Sequence, residues 1–176
     1  MSYKVKGLVY AALFAALTAV SAWVTIPLPF VPITLQTFFV MLSGAVLGPY
    51  FGALAMAVYL LLGFIGLPVF AGGQAGLGAL FGPTGGYMVG FIFCPVVAGL
   101  IARARKDPGP AWYGLAMLAG DAVVFAFGVA QLSIVLHMPL DRALVIGLLP
   151  FMPGDALKLI VASFVAYKLK SSEARP

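Results

Sequence analysis

Charge is what this sequence lacks most. Ten Lys and Arg and five Asp and Glu are spread over 176 residues, and charged residues make up 9% of the chain. A soluble domain carries about 25%, so this chain cannot clothe a core with a water-facing surface. Cysteine is down to one, Cys94. A single thiol excludes an intrachain disulfide and any cysteine cluster for a metal. In its apolar run Cys94 reads as a small buried hydrophobe. Histidine is also down to one, His137. It falls in an expected outer loop and reads as a solvated loop residue rather than a ligand or base. No GxxxxGK[ST] occurs, so the chain has no phosphate-cradling loop of its own. No HExxH or GxSxG occurs either. No catalytic residue, metal site or cofactor is expected, and the chain reads as a non-enzyme. Polar linkers, charge runs and low-complexity segments are missing too. Residues 1–176 are therefore expected to form one domain.

What is present is hydrophobic. Apolar residues make up 63% of the chain, and the mean hydropathy is +1.12. This is the composition of an integral membrane protein, with lipid as its first partner. A hydrocarbon core of about 30 Å takes roughly 20 apolar residues per helix. Apolar runs at 7–26, 35–47, 51–65, 85–102, 113–136 and 148–169 predict an all-α bundle of six transmembrane helices. The second and third runs are short, and Gly48-Pro49 sets a tight turn between them. The N-terminus imitates a signal peptide, with Lys4 and Lys6 ahead of an apolar run that ends in Ser21-Ala22-Trp23. The run is long for that role and reads as a retained span.

The basic residues give the orientation. Lys4, Lys6, Arg103, Arg105, Lys106, Lys168, Lys170 and Arg175 fall on one side of a six-span chain. Only Arg142 falls on the other, and Lys158 lies inside the last span. The bias predicts that both termini are cytoplasmic. The net charge of +5 is then an orientation device, and no nucleic-acid partner is expected.

Nine glycines and two prolines, and no charge, occupy 66–90. The segment is too rich in both to be one helix and too apolar to be an ordinary solvated loop. Near lipid, irregular backbone survives where protein buries it or where it lines a cavity. Glycine also lets backbone come close to a ligand. This outer loop between helices three and four is the strongest pointer to a binding pocket, with Gly72, Gly73 and Gln74 in it. Gln74 offers donors and an acceptor. Thr34, Gln36 and Tyr87 are expected at the same level. Tyr87 reads equally as an interfacial anchor, and Gln36 equally as a partner for a neighbouring helix.

Asp155 and Lys158 sit three residues apart in PFMPGDALK, on one helix face. Each costs about 2.5–3.5 kcal/mol in mid-membrane on insertion scales. Either they neutralise each other and pin the last span, or they anchor a ligand's polar groups. Pro153 and Gly154 place them level with the glycine loop, which favours the ligand. Gln131 is deep enough for a pocket wall or an interhelical hydrogen bond. Asp121, nearer the cytoplasmic end, reads as structural. Ala11, Ala15 and Ala19 repeat every four residues in span one, as do Ala12 and Ala16. Such a stripe lets another helix approach closely, within this bundle or in a partner.

GLPVFAGG, GPTGGY and PGDALK, in that order, resemble one family over nearly the whole chain: the biotin-binding S component of energy-coupling factor (ECF) transporters, the BioY family. The resemblance implies a six-helix bundle in a prokaryotic cell membrane, with biotin in an outward-facing pocket. It implies a transmembrane coupling component docked on the alanine stripe, and two cytosolic ATPases that drive a toppling motion. The family's ligand positions would fall on Gln74, Tyr87, Asp155 and Lys158. Some members carry a basic residue directly after the tyrosine, where this chain has Met88. An aromatic common in the fifth helix is replaced by Gln131. Two other classes remain open on the residues alone. A structural or channel-like bundle would use Asp155 and Lys158 only for packing, though a pore would need a polar stripe. A stand-alone secondary transporter commonly has an internal repeat, and none is visible.

Overall fold

Prolines and glycines cut this chain into helices of very unequal length. The computed structural model describes residues 2–173, so Arg175 lies outside the described residues. Eight α-helices run in order among them: α1 (Tyr3–Ser21), α2 (Gln36–Leu47), α3 (Pro49–Phe64), α4 (Gly78–Phe81), α5 (Gly85–Arg103), α6 (Pro110–Val135), α7 (Leu140–Gly147) and α8 (Met152–Glu173). Two short strands, β1 (Thr25–Ile26) and β2 (Ile33–Thr34), pair antiparallel between α1 and α2. The expected runs correspond to α1, α2, α3, α5, α6 and α8. The first was placed too far along the chain. Pro27, Pro29 and Pro32 cannot continue a helix, and the segment 22–34 folds back as a hairpin instead. The last begins later than expected, at Met152, and α7 precedes it where a plain loop was read. The α7–α8 joint bends by 56°.

The protein is a multi-pass membrane protein. Helices α1, α5 and α6 are each long and apolar enough to cross a membrane, and α7 with α8 makes a fourth, bent candidate. Helices α2 and α3 have 12 and 16 residues, too few to cross a full hydrocarbon layer upright.

Close backbone approach holds α2, α3 and α5 together. Gly48 turns the chain between α2 and α3 with φ of +84°, a conformation that favours glycine. Pro49 then fills the first helical position, where no N–H is needed. Arg103, at the end of α5, donates from its guanidinium to the Leu47 carbonyl at 2.9 Å. A Cβ on Gly99 would stand 2.5 Å from the Pro49 nitrogen and 2.8 Å from the Gly44 carbonyl oxygen. Both neighbours are backbone and cannot swing away. Gly99→Ala should therefore destabilise the protein by about 1–3 kcal/mol, read as an earlier melting transition in detergent. A variant that melts with the parent would show that α5 can slide here. The α5–α6 pair uses the same device, with Gly90 against Val124 and Gly128 under the Tyr87 ring.

The alanine stripe on α1 needs correction. Ala11, Ala15 and Ala19 are 2%, 1% and 9% exposed. They are packed inside this bundle, where α1 meets α2 and α3. Any partner helix would reach Ala12 and Ala16 instead, which are exposed on the adjoining face.

Candidate functional site

A narrow recess opens between α2, α3, α5, α6 and α8, near the loop that carries the glycines. Five aromatic rings line it: Tyr59 of α3, Tyr87 and Phe91 of α5, Phe125 of α6, and Phe151 just ahead of α8. Tyr87 stacks on Phe151 at 6.2 Å between centroids and meets Phe125 edge-on at 6.1 Å. The Tyr87 hydroxyl is already used: it donates to the Gly147 carbonyl at 2.8 Å. Its ring, not its hydroxyl, is what the recess sees.

The polar groups lie along one edge. Thr34, Gln36, Thr37 and Lys158 line the recess. The Lys158 ammonium donates to the Thr34 carbonyl at 2.6 Å, to Thr37 Oγ1 at 3.0 Å and to Asp155 Oδ1 at 2.7 Å. An ammonium has three hydrogens, so every one is engaged. Thr37 in turn donates to Asp155 Oδ1 at 2.8 Å. The pair is thus clamped by a threonine on α2, and one arm of the clamp is the backbone of β2. Beside it the Gln36 amide N–H donates to the Tyr59 hydroxyl. Gln36 Oε1 accepts from the Thr34 hydroxyl at 3.0 Å, and the Tyr59 hydroxyl donates to the Val69 carbonyl at 3.2 Å. This chain of bonds ties the hairpin to the segment after α3.

Asp155 stands behind Lys158 rather than in the recess. It lines a groove of about 1240 Å³ on the far side, between α6, α7 and α8. Its Oδ2 has no hydrogen-bond partner there, nor has Oδ1 of Asp121 in the same groove. Gln131 is also displaced from the expected ligand set. Its amide donates to the carbonyls of Leu80 and Gly82 at 2.7 and 2.9 Å, which pins the glycine segment to α6. Phe125, six positions earlier on the same helix, supplies an aromatic wall.

Gly72 and Gln74 belong to a second hollow of about 910 Å³, between the hairpin and the glycine segment. Pro32, Ala71, Thr84 and Met88 line both hollows and form the neck between them. Gly72 and Gly73 both have positive φ, +69° and +76°, which lets the chain turn here in three residues. Gly73 backs onto the ring of Trp23 and faces neither hollow. Thr25 Oγ1, in the outer hollow, is buried without a partner. Cys94 is buried and free, as its apolar setting implied.

Sequence reasoning missed Thr37, Tyr59, Phe91, Phe125 and Phe151. A threonine one residue past Gln36 carries no signal of its own, and aromatics inside apolar runs read as core. Only the crossing of five helices turns them into one wall.

The BioY family matches residues 1–175 of the chain. A biotin transporter BioY of Thermotoga maritima is 46% identical over 168 residues, covering 96% of this chain and 98% of the relative. A biotin transporter BioY of Rhodobacter capsulatus is 42% identical over 166 residues, covering 88% and 87%. Among solved structures, the S-component for biotin from an ECF-type ABC transporter superposes with a TM-score of 0.88 at 31% identity. The match covers 97% of this chain and 95% of that one.

Proposed function

The chain belongs to the BioY family, and on that basis we propose that it is the biotin-binding S component of an ECF vitamin transporter. The observation that carries the reading is the recess: five aromatic rings facing one short polar edge. Biotin has an apolar fused bicycle, a ureido group that donates and accepts, and an aliphatic tail. A ligand site of mostly apolar wall with a few placed polar groups suits it. The bicycle stacks among Tyr59, Tyr87, Phe91 and Phe125. Its ureido group meets Gln36, Thr37 and Lys158, with Asp155 holding the ammonium in place. The tail leaves through the neck toward Gln74.

The hairpin and glycine segment face the outside, so both termini are cytoplasmic, in keeping with the bias of Lys and Arg in the sequence toward that side. Uptake is driven by a membrane coupling component and two ATPases, in keeping with the chain's likeness to the S-component of an ECF-type ABC transporter. The coupling component docks on the Ala12 and Ala16 face of α1. Purified alone, without ATP or partner, the chain should bind biotin one-to-one in titration calorimetry. A flat titration with folded protein, carried into the micromolar range, sinks the proposal.

A further inference from the structure

We propose that this site does not select for the ligand's carboxylate. It takes biotin derivatives whose carboxyl is an uncharged amide or ester about as readily as the free acid. The inference rests on the biotin reading above and concerns the end of the ligand that the polar edge does not hold.

A carboxylate leaving water needs a cation or several donors in return, or its desolvation goes unrepaid. Among the described residues, Lys158 is the only cation lining either the recess or the outer hollow. It sits at the ureido end, where its three hydrogens go to Thr34, Thr37 and Asp155 and the ureido oxygen has to share one of them, so none reaches the tail. Arg142 is the other cation at this end of the bundle. It is exposed on α7 and lines a separate groove with Asp141, and Phe30 stands between that groove and the hollow. The remaining basic residues that the structure describes belong to the opposite helix ends, at the start of α1, the α5–α6 connection and the end of α8.

The neck that the tail must pass carries Met88, a thioether with no charge and almost no hydrogen-bonding power. Beyond it the outer hollow offers neutral partners. The Gln74 amide donates and accepts. The Thr25 hydroxyl is buried and unpartnered in the same hollow. An amide C=O and N–H satisfy these two as well as a carboxylate does. The hollow is open to solvent, so a substituent on the carbonyl is not walled in. A free carboxylate gains no ion pair by entering, and an amide or ester loses none.

Competition for radiolabelled biotin on the purified chain tests this, with unlabelled biotin, biotinamide and biotin methyl ester as competitors. The three should compete within about threefold of one another, less than the loss of a single charge-assisted contact. Met88→Arg places a cation at the neck. It should favour the acid over the amide by about tenfold, as one charge-assisted hydrogen bond would. The parent's own ratio decides the matter even if that variant does not fold. Amide and ester both about thirtyfold weaker than the acid on the parent would overturn the proposal. A ratio that collapses in Arg142→Ala would then name Arg142 as the carboxylate's partner. If biotin itself does not bind, the biotin reading fails first, and this proposal with it.

Discussion

Lys158→Ala should cost the chain most of its affinity for biotin, a loss of about tenfold or more for a buried charge-assisted contact. Among the described residues the ammonium is the only cation lining the recess, and it gathers three groups from separate parts of the chain: a β2 carbonyl, an α2 hydroxyl and an α8 carboxylate. Its removal also strands a carboxylate that is 4% exposed, which is expensive in its own right. The single variant therefore falls in stability as well as in affinity. The double variant Lys158→Leu with Asp155→Leu separates the two effects. A buried ion pair replaced by apolar groups of similar volume is often neutral or better for stability. The double variant should regain the parent's melting temperature while biotin binding in calorimetry stays weak. Recovery of both would reduce the pair to a packing device and move the polar contact to Gln36 and Thr37.

Ala16→Leu should abolish energy-driven uptake in the reconstituted complex and leave biotin binding by the isolated chain intact. Ala16 is exposed, one turn from exposed Ala12, and a leucine there holds a partner helix away. Ala15→Leu is the informative contrast. Ala15 is 1% exposed inside the bundle. Extra bulk there forces α1 from its neighbours at about 1–3 kcal/mol, so melting should fall. The measurements are uptake, co-purification of the coupling component and thermal denaturation on both variants. Normal uptake by Ala16→Leu would move docking to another face of the bundle.

The two alanine registers show where the sequence stopped speaking. Ala11, Ala15 and Ala19 are the longer repeat, yet they face inward. The shorter pair faces outward. Repeat length does not report direction, because a small residue suits a neighbouring helix of the same chain as well as that of a partner. The helices were legible to within a few residues where apolar runs end at Gly48-Pro49 or begin at Gly85. They were misjudged where proline clusters intervene: Pro27, Pro29 and Pro32 divert the first run into a hairpin, and Pro139 and Pro150 flank the unforeseen α7. The site divides in the same way. Lys158, Gln36, Tyr87 and Gln74 were visible because polar residues are scarce in such a chain. Gln131 was equally visible and turned out to serve backbone carbonyls. Thr37 was invisible because its importance lies wholly in what stands opposite it.

The unequal helix lengths bear on the lipid around this protein. At 1.5 Å per residue, α2 with 12 residues spans about 18 Å and α6 with 26 about 39 Å. The bundle is thus of uneven height: α2 and α3 are far shorter than a bilayer of about 30 Å, and α6 is longer. Lipid beside the partly exposed α3 has to thin, and each ångström of misfit costs a fraction of a kcal/mol. The Arg103 guanidinium, seated on the turn between those helices, gives polar headgroups something to follow inward. An upright bundle is therefore already strained against its membrane. Tilting toward the short helices relieves part of that strain, so acyl-chain length sets how much work a full reorientation demands.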